Sequence, residues 1–321
     1  MLDISTQHFP TLNQAYGNAF RPGKLTLGLV IPIEAHHNSP TPTLDRHLER
    51  AQLADTLGFS ALWLRDVPFN VPSFGDAGQT FDPFVYLGML APMTSNIGLG
   101  VASVILPLRH PAHVAKAAAT ADVLSEGRLL LGVASGDRPE EYPAMDADFA
   151  SRGDRFRDSM SYIRAMAESY PTVSTGQGTL TGRADMLPKP VGGSLPLLIT
   201  GGSQQAPDWV AQNGDGWITY PRDAGSQRRV VAEYRNRIAE TGGLNKPVTQ
   251  SLYVDLQNEP DAEPRPIHLG FSSGTTFLRQ YLREIRDLGI NHVALNLRFN
   301  QSDVEDTMKL IADELLPEFS L

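Results

Sequence analysis

Residues 97–111 read Ile-Gly-Leu-Gly-Val-Ala-Ser-Val-Ile-Leu-Pro-Leu-Arg-His-Pro, and residues 128–137 read Arg-Leu-Leu-Leu-Gly-Val-Ala-Ser-Gly-Asp. An apolar run ends at a Pro and a His-Pro, an Ala-rich stretch with helical spacing follows, and a second apolar run opens out at Ser-Gly-Asp. This is one strand–helix–strand unit. Its two strand ends, polar and glycine-bearing, fall at the same edge, where α/β proteins bind ligands.

Working outward, the same alternation recurs along the chain. Strands are expected at 25–31, 61–64, 97–106, 128–133, 197–200, 217–220, 248–256 and 292–297. They are near-continuous apolar runs, as parallel strands are when both faces are covered. Helices are expected at 44–57, 83–90, 112–124, 155–167, 203–212, 226–239, 276–288 and 302–315. Apolar spacings of three and four mark them, and Gly58 after the first is a C-cap signature. About eight strand–helix pairs is the number that closes a (β/α)8 TIM barrel. The whole chain, 1–321, reads as one such α/β domain, with 1–23 as an irregular N-terminal arm. The Gly- and Pro-rich stretch 170–196 is an insertion of loop with a hairpin.

Composition sets bounds on function. The chain has 321 residues, 41% hydrophobic and 20% charged, with a net charge of −9. No Lys/Arg-rich run accompanies that charge, so nucleic acid is not an expected partner. Cys is absent, which removes disulfides, thiolate nucleophiles and Cys-ligated metals. Neither a secretory h-region nor a spanning apolar stretch occurs, so no membrane association and a cytoplasmic location are expected.

In a barrel, the residues after each strand collect at one mouth. Here these are 32–37, 65–69, 103–110, 134–138, 201–203, 221–223, 257–259 and 298–300. Gly201-Gly202-Ser203 can cradle an anion with backbone N–H groups at a helix start, or can be a tight turn with Ser203 as N-cap. Gly98-Leu-Gly100 sits within a strand, so it is no dinucleotide fingerprint; the strand packs there against something close. Asp66 is either an acid/base or ligand-orienting group, or half of an ion pair with Arg65. His110 faces the mouth or caps the following helix, and His36 and His37 lie in a polar loop that is either a lid or solvated. His292 reads as structural. Arg128, Arg138, Arg152, Arg155 and Arg157 surround the fourth strand end and suggest an anionic ligand. Neither a metal-binding His spacing nor a nucleophile elbow is present. Trp63, Phe69 and Phe74 hint at an apolar or aromatic substrate.

Five segments together resemble the bacterial luciferase-like monooxygenases. They are 57–66 (Leu-Gly-Phe-Ser-Ala-Leu-Trp-Leu-Arg-Asp), 97–111, 117–133, Pro-Lys-Pro-Val at 188–191, and 199–217 from Ile-Thr-Gly-Gly-Ser to Asp-Gly-Trp. The resemblance runs from about 25 to 220 and implies a flavin, FMN or the deazaflavin F420, lying in the mouth. It implies a bulge with a non-prolyl cis peptide at Ala102-Ser103 under the ring. It also maps a phosphate site onto Gly201, Gly202, Ser203, Arg155 and Ser135. The chain departs from the luciferase α subunit where that protein has Glu-His-His: Asp66-Val67-Pro68 stands here, so the catalytic His does not transfer. It also has Ala134-Ser135 where the luciferase has Cys-Arg, which removes one phosphate contact.

The resulting expectation is a flavin-dependent monooxygenase that takes reduced FMN from a separate reductase and acts with O2 on a small organic substrate. Asp66 or His110 would position that substrate. The alternatives are an F420-dependent hydride-transfer enzyme and a non-catalytic flavin-binding homologue. A homodimer follows from the resemblance.

Overall fold

The computed structural model describes residues 8–36, 38–39, 41–74 and 81–321. Chain order begins α1 (Gln14–Ala19), β1 (Thr26–Val30), α2 (His47–Leu57), β2 (Ala61–Leu64), α3 (Pro83–Met93), β3 (Gly98–Ile105), α4 (Pro111–Leu124) and β4 (Leu129–Ala134). It continues with α5 (Glu141–Ala144), α6 (Arg152–Ala165), β5 (Thr172–Thr175), β6 (Gly178–Thr181), β7 (Leu197–Thr200), α7 (Pro207–Asn213), β8 (Gly216–Thr219) and α8 (Ala224–Glu240). The last elements are β9 (Val248–Leu256), β10 (Arg265–Ile267), β11 (Gly270–Ser273), α9 (Thr275–Asp287), β12 (His292–Asn296) and α10 (Val304–Glu314).

Parallel pairing runs β9-β12-β1-β2-β3-β4-β7-β8, and β8 pairs back to β9, so the sheet closes into an eight-stranded barrel. The helices that alternate with these strands cover the outside, giving the expected (β/α)8 architecture. The insertion is the antiparallel hairpin β5–β6. Alternate strand residues split the apolar core in two. Leu27, Leu29, Leu62, Leu64, Leu99 and Val101 join the layer under the helices. Val30, Ala61, Trp63, Leu130, Leu198, Ile218 and Ala294 fill the barrel interior. Space inside is tight: a Cβ on Gly100 would stand 2.4 Å from Trp63 Cε3, and one on Gly132 2.3 Å from Val101 O. The close neighbour expected of Gly100 is therefore the Trp63 ring.

Two sequence expectations need correction, and one pair of strands is new. The arm at 1–23 is not irregular throughout, although residues 1–7 lie outside the described ones. Asn13 accepts the Tyr16 N–H at 3.0 Å and starts α1. Ala15, Tyr16, Ala19 and Phe20 then join the interior core. Tyr16 Oη donates to Asp215 O at 2.6 Å, and Asn13 Nδ2 to Leu129 O at 2.7 Å, so this short helix closes the barrel at the N-terminal ends of its strands. The helix expected at 203–212 begins at Pro207, because Ser203 and Gln204 adopt φ of 45° and 60°, which no helix accommodates. The pair β10–β11 was not anticipated. It is antiparallel within itself, and β11 pairs with the upper half of β9, beyond the point where β8 ends.

Candidate functional site

A cavity of about 480 Å³ opens at the C-terminal ends of the strands. Its floor is Trp63, with Val30, Ile218 and Ala294 beside it. Trp63 Nε1 donates to His292 Nε2 at 2.8 Å. His292 Nδ1 must then carry the ring proton and donate to Thr26 Oγ1 at 2.7 Å, while Thr26 Oγ1 donates to Ala19 O. Burial pushes the His292 pKa down from 6.5 to about 3, so the ring is neutral. His292 is structural, as expected.

One wall is built by the end of β3. Its register against β4 runs Val101↔Leu131 and then Val104↔Val133, so Ala102 and Ser103 form a bulge. The Ala102-Ser103 peptide is cis. Ala102, Ser103 and Ala134 face the cavity with small side chains, and the Ser103 hydroxyl meets that of Thr200 at the end of β7. The opposite wall is polar, with Thr249, Ser251 and Asn296 from β9 and β12. Tyr253, His268 and Phe299 pack ring against ring at the rim, with centroids 5.2 to 6.4 Å apart, and the β10–β11 turn brings His268 and Leu269 over the opening.

Asp66, two residues beyond β2, lines the cavity, and its partner is Arg109 rather than Arg65. Arg109 Nε and Nη2 donate to its two oxygens at 2.9 and 2.7 Å, and the Ile105 N–H adds a third bond at 3.1 Å. Arg109 Nη2 also reaches Asp82 Oδ2 at 2.8 Å, and Asp82 caps α3. Burial works to raise the Asp82 carboxyl, but Arg109 and the capped N–H groups outweigh it and hold it below its usual value. Asp66 thereby ties β2, the end of β3 and α3 together. His110 is exposed and caps α4, accepting the Ala112 N–H at Nδ1, and it does not line the cavity.

Gly201 lines the cavity, and Gly201, Ser203 and Gln204 all adopt positive φ. Among the described residues, the N–H groups of Gly202, Ser203 and Gln204 make no hydrogen bond. Ser203 Oγ instead donates to Thr200 O at 2.8 Å, so Ser203 is not a helix cap. The turn abuts the first turn of α6, where Gln205 Nε2 donates to Gly153 O. Arg155, on that same turn, holds Pro107 O with Nε and Nη2 at 3.2 and 3.0 Å. Ser135 is buried, and its carbonyl accepts the Tyr142 hydroxyl. Of the five arginines singled out, Arg138 lines the cavity. Arg128 stands at the other end of β4, where it donates to Ala91, Thr94, Ile97 and Ser125 carbonyls. His36 is buried and pairs with Ser39 O, and His37 lies outside the described residues. Phe74 lines the cavity, with Arg138 over its ring at 4.7 Å, whereas Phe69 does not reach it.

Sequence reading missed Glu141, Tyr220 and His268, and named Asp137 only as a strand-end residue. Glu141 is 3% exposed, and among the described residues its Oε1 has no hydrogen-bond partner. Burial raises its pKa, Arg138 opposes this, and Asp66 and Asp137 add to it. The Tyr220 hydroxyl is likewise pushed up by burial and by Asp137, against Arg65. The acidic pair Glu140-Glu141 three residues beyond Asp137 was the one available signal, but only the fold turns the second of them inward. Among the described residues no group of His, Cys, Asp or Glu could hold a metal ion, and no helix is long and apolar enough to cross a membrane.

The family model described as luciferase-like monooxygenase matches residues 25–321. The chain belongs to that family. The match extends the sequence resemblance to the C-terminal end of the barrel. Among relatives, Rv0953c of Mycobacterium tuberculosis is 33% identical over 68% of this chain and 82% of its own length. The F420-dependent hydroxymycolic acid dehydrogenase of the same organism is 29% identical over 59% of this chain and 52% of its own. The oxygenase component of the flavin-dependent trigonelline monooxygenase of Acinetobacter baylyi is 35% identical over 37% of this chain and 32% of its own. The crystal structure of monooxygenase RslO1 from Streptomyces bottropensis superposes with a TM-score of 0.78 at 19% identity, covering 92% of this chain and all of that one. Most members of this family are oxidoreductases, and the relatives of this chain include both F420-dependent and flavin-dependent enzymes.

Proposed function

We propose that the mouth binds the ring of reduced FMN and that the protein is the oxygenase of a two-component monooxygenase. A separate reductase supplies the reduced flavin, and the substrate is a small organic molecule. The observation that carries this reading is the cavity beside the cis bulge, where Ala102, Ser103 and Ala134 leave a hollow about the size of a cofactor site. The residues fit such a group. Small side chains stand where a flat ring would lie, and three successive N–H groups without partners, those of Gly202, Ser203 and Gln204, stand where a phosphate would. Ser135, just beyond β4, and Arg155, on the first turn of α6 with its guanidinium on Pro107 O, are proposed as further contacts of that phosphate. When bound, reduced flavin supplies the electrons that activate O2.

The chain's own residues bind, orient and exclude water. Asp66 acts as a positioning group, since its carboxylate is occupied by Arg109 and the Ile105 N–H and so fixes the end of β3. His110 holds the start of α4 through its cap. Asp137, Glu141, Tyr220 and His268 face the space left for substrate. Glu141, its pKa raised by burial, presents an unpartnered Oε1 to that space.

A second reading is F420-dependent hydride transfer without oxygen. The F420-dependent relative favours it, since that alignment spans 59% of this chain against 37% for the flavin-dependent one. Titrating the protein with FMN and F420, reading fluorescence quenching, and then following O2 uptake with reduced FMN separates the two. Saturable FMN quenching with substrate-dependent O2 uptake is the expected result. Quenching by F420 alone moves the assignment to hydride transfer, and quenching by neither overturns the site.

A homodimer is proposed through α3. The helix carries no charged residue, and Val85, Met89 and Met93, four apart on one face, are 37 to 76% exposed.

A further inference from the structure

A second cavity, of about 450 Å³, lies on the opposite rim of the barrel, between α8 and α9. Pro22 and Gly23 precede β1, Asn245 precedes β9 and Gly289 precedes β12, and all four line it. These strands are neighbours in the order β9-β12-β1, so the loops leading into them converge there. Among the described residues, Arg228, Arg235 and Arg286 line the groove against one acid, Asp287, in a chain of net charge −9.

Arg235 is the centre of this arrangement. Its Nη1 donates to Asn245 Oδ1, and its Nη2 to Gly289 O at 2.6 Å and Asn291 Oδ1 at 3.3 Å. All three acceptors are neutral, and both asparagines are 1% exposed, so the guanidinium is held in place without its charge being balanced. Among the described residues no carboxylate lies within ion-pair distance of it. Burial accordingly lowers its proton affinity, with Tyr234 alone in opposition. Arg235 is half-buried, and a cation drawn that far from water ordinarily has an anionic partner. Arg228 lies two turns earlier on the same face of α8, exposed and without a partner among the described residues. Arg286 is shared with Asp287 and Glu318 at 3.1 and 3.4 Å.

We propose that this groove binds a phosphoryl-bearing anion of diphosphate size or larger, with Arg235 as its fixed anchor and Arg228 as the second cation. The fork of a guanidinium pairs with phosphoryl oxygens two at a time. The volume exceeds what one phosphoryl group needs, and among the described residues no aromatic ring lines the groove to stack on a base, so the anion itself is what the site reads. The groove lies at the far end of the barrel from the mouth, and the proposal stands independently of the cofactor reading.

The test is calorimetric titration of the whole chain with inorganic pyrophosphate at constant ionic strength, beside Arg228→Ala, Arg235→Met and, at the mouth, Arg155→Ala. The expected result is a saturable component that survives Arg155→Ala. It should weaken about fivefold in Arg228→Ala and more than tenfold in Arg235→Met. Arg228 is exposed and partnerless, so its loss leaves the fold intact and keeps the test decisive if Arg235→Met unfolds. Three results overturn the proposal: no saturable heat, heat that vanishes in Arg155→Ala or persists unchanged in Arg228→Ala, or citrate competing as well as pyrophosphate.

Discussion

The two ends of the barrel are made from the same strands and finished in opposite ways. At the N-terminal end, Tyr16 and Phe20 from the α1 region pack with Trp63, Leu130 and Leu198, and His292 is sealed beneath them. At the C-terminal end, Ala102, Ala134, Thr200, Ser251 and Asn296 leave about 480 Å³ open. A single strand changes character within a few residues: β12 begins at the buried His292 and ends at Asn296 on the cavity wall, and β2 passes from Trp63 to Arg65 just beyond its end. Side-chain volume, not backbone, divides the barrel into an end that holds it together and an end that can bind. That division matches the separation of stability and activity found across this architecture.

Substitutions at each end should break or sharpen the contrast. Trp63→Ala removes the largest interior side chain and should cost about 3–5 kcal/mol in denaturant unfolding. Arg109→Met strands the buried Asp66 carboxylate at the open end and should cost about 2–4 kcal/mol, somewhat less than a fully buried pair because Arg109 is partly exposed. Acid should act on the closed end through His292. The folded pKa of His292 lies at about 3 against 6.5 unfolded, so the unfolded chain binds the extra proton. Its contribution is complete above pH 6.5 and falls by about 1.4 kcal/mol per pH unit below it, and His292→Gln should flatten that slope. Ala134→Leu, which fills the open end, should change stability by no more than ~1 kcal/mol yet lower FMN affinity more than tenfold by fluorescence titration. Val85→Glu with Met89→Glu on α3 touches neither end. It should alter stability by less than ~0.5 kcal/mol while light scattering shows a monomer.

Legibility in the sequence followed the same division. Barrel strands were visible as apolar runs, since a strand covered on both faces must be apolar at every position. The short plug α1 was not, because six residues with a central glycine show no repeat. Asp66 drew notice by its place at a strand end, but its partner is 43 residues away, and no spacing rule connects it to Arg109. The turn at 201–204 was expected to start a helix. Its positive φ values and unpaired N–H groups instead make a concave turn, and α7 waits for Pro207.

Apolar periodicity, strand-end chemistry and a few ordered motifs were by themselves enough to determine the barrel, its family and the rim at which the cavity opens, because these depend on neighbours in the chain. Which side chains meet across that rim was decided only by closure of the sheet. Glu141 beside Asp137, Ser103 against Thr200, and Arg235 stranded among neutral acceptors all arise from contacts between distant segments, and burial there acts on charge in ways no local pattern encodes.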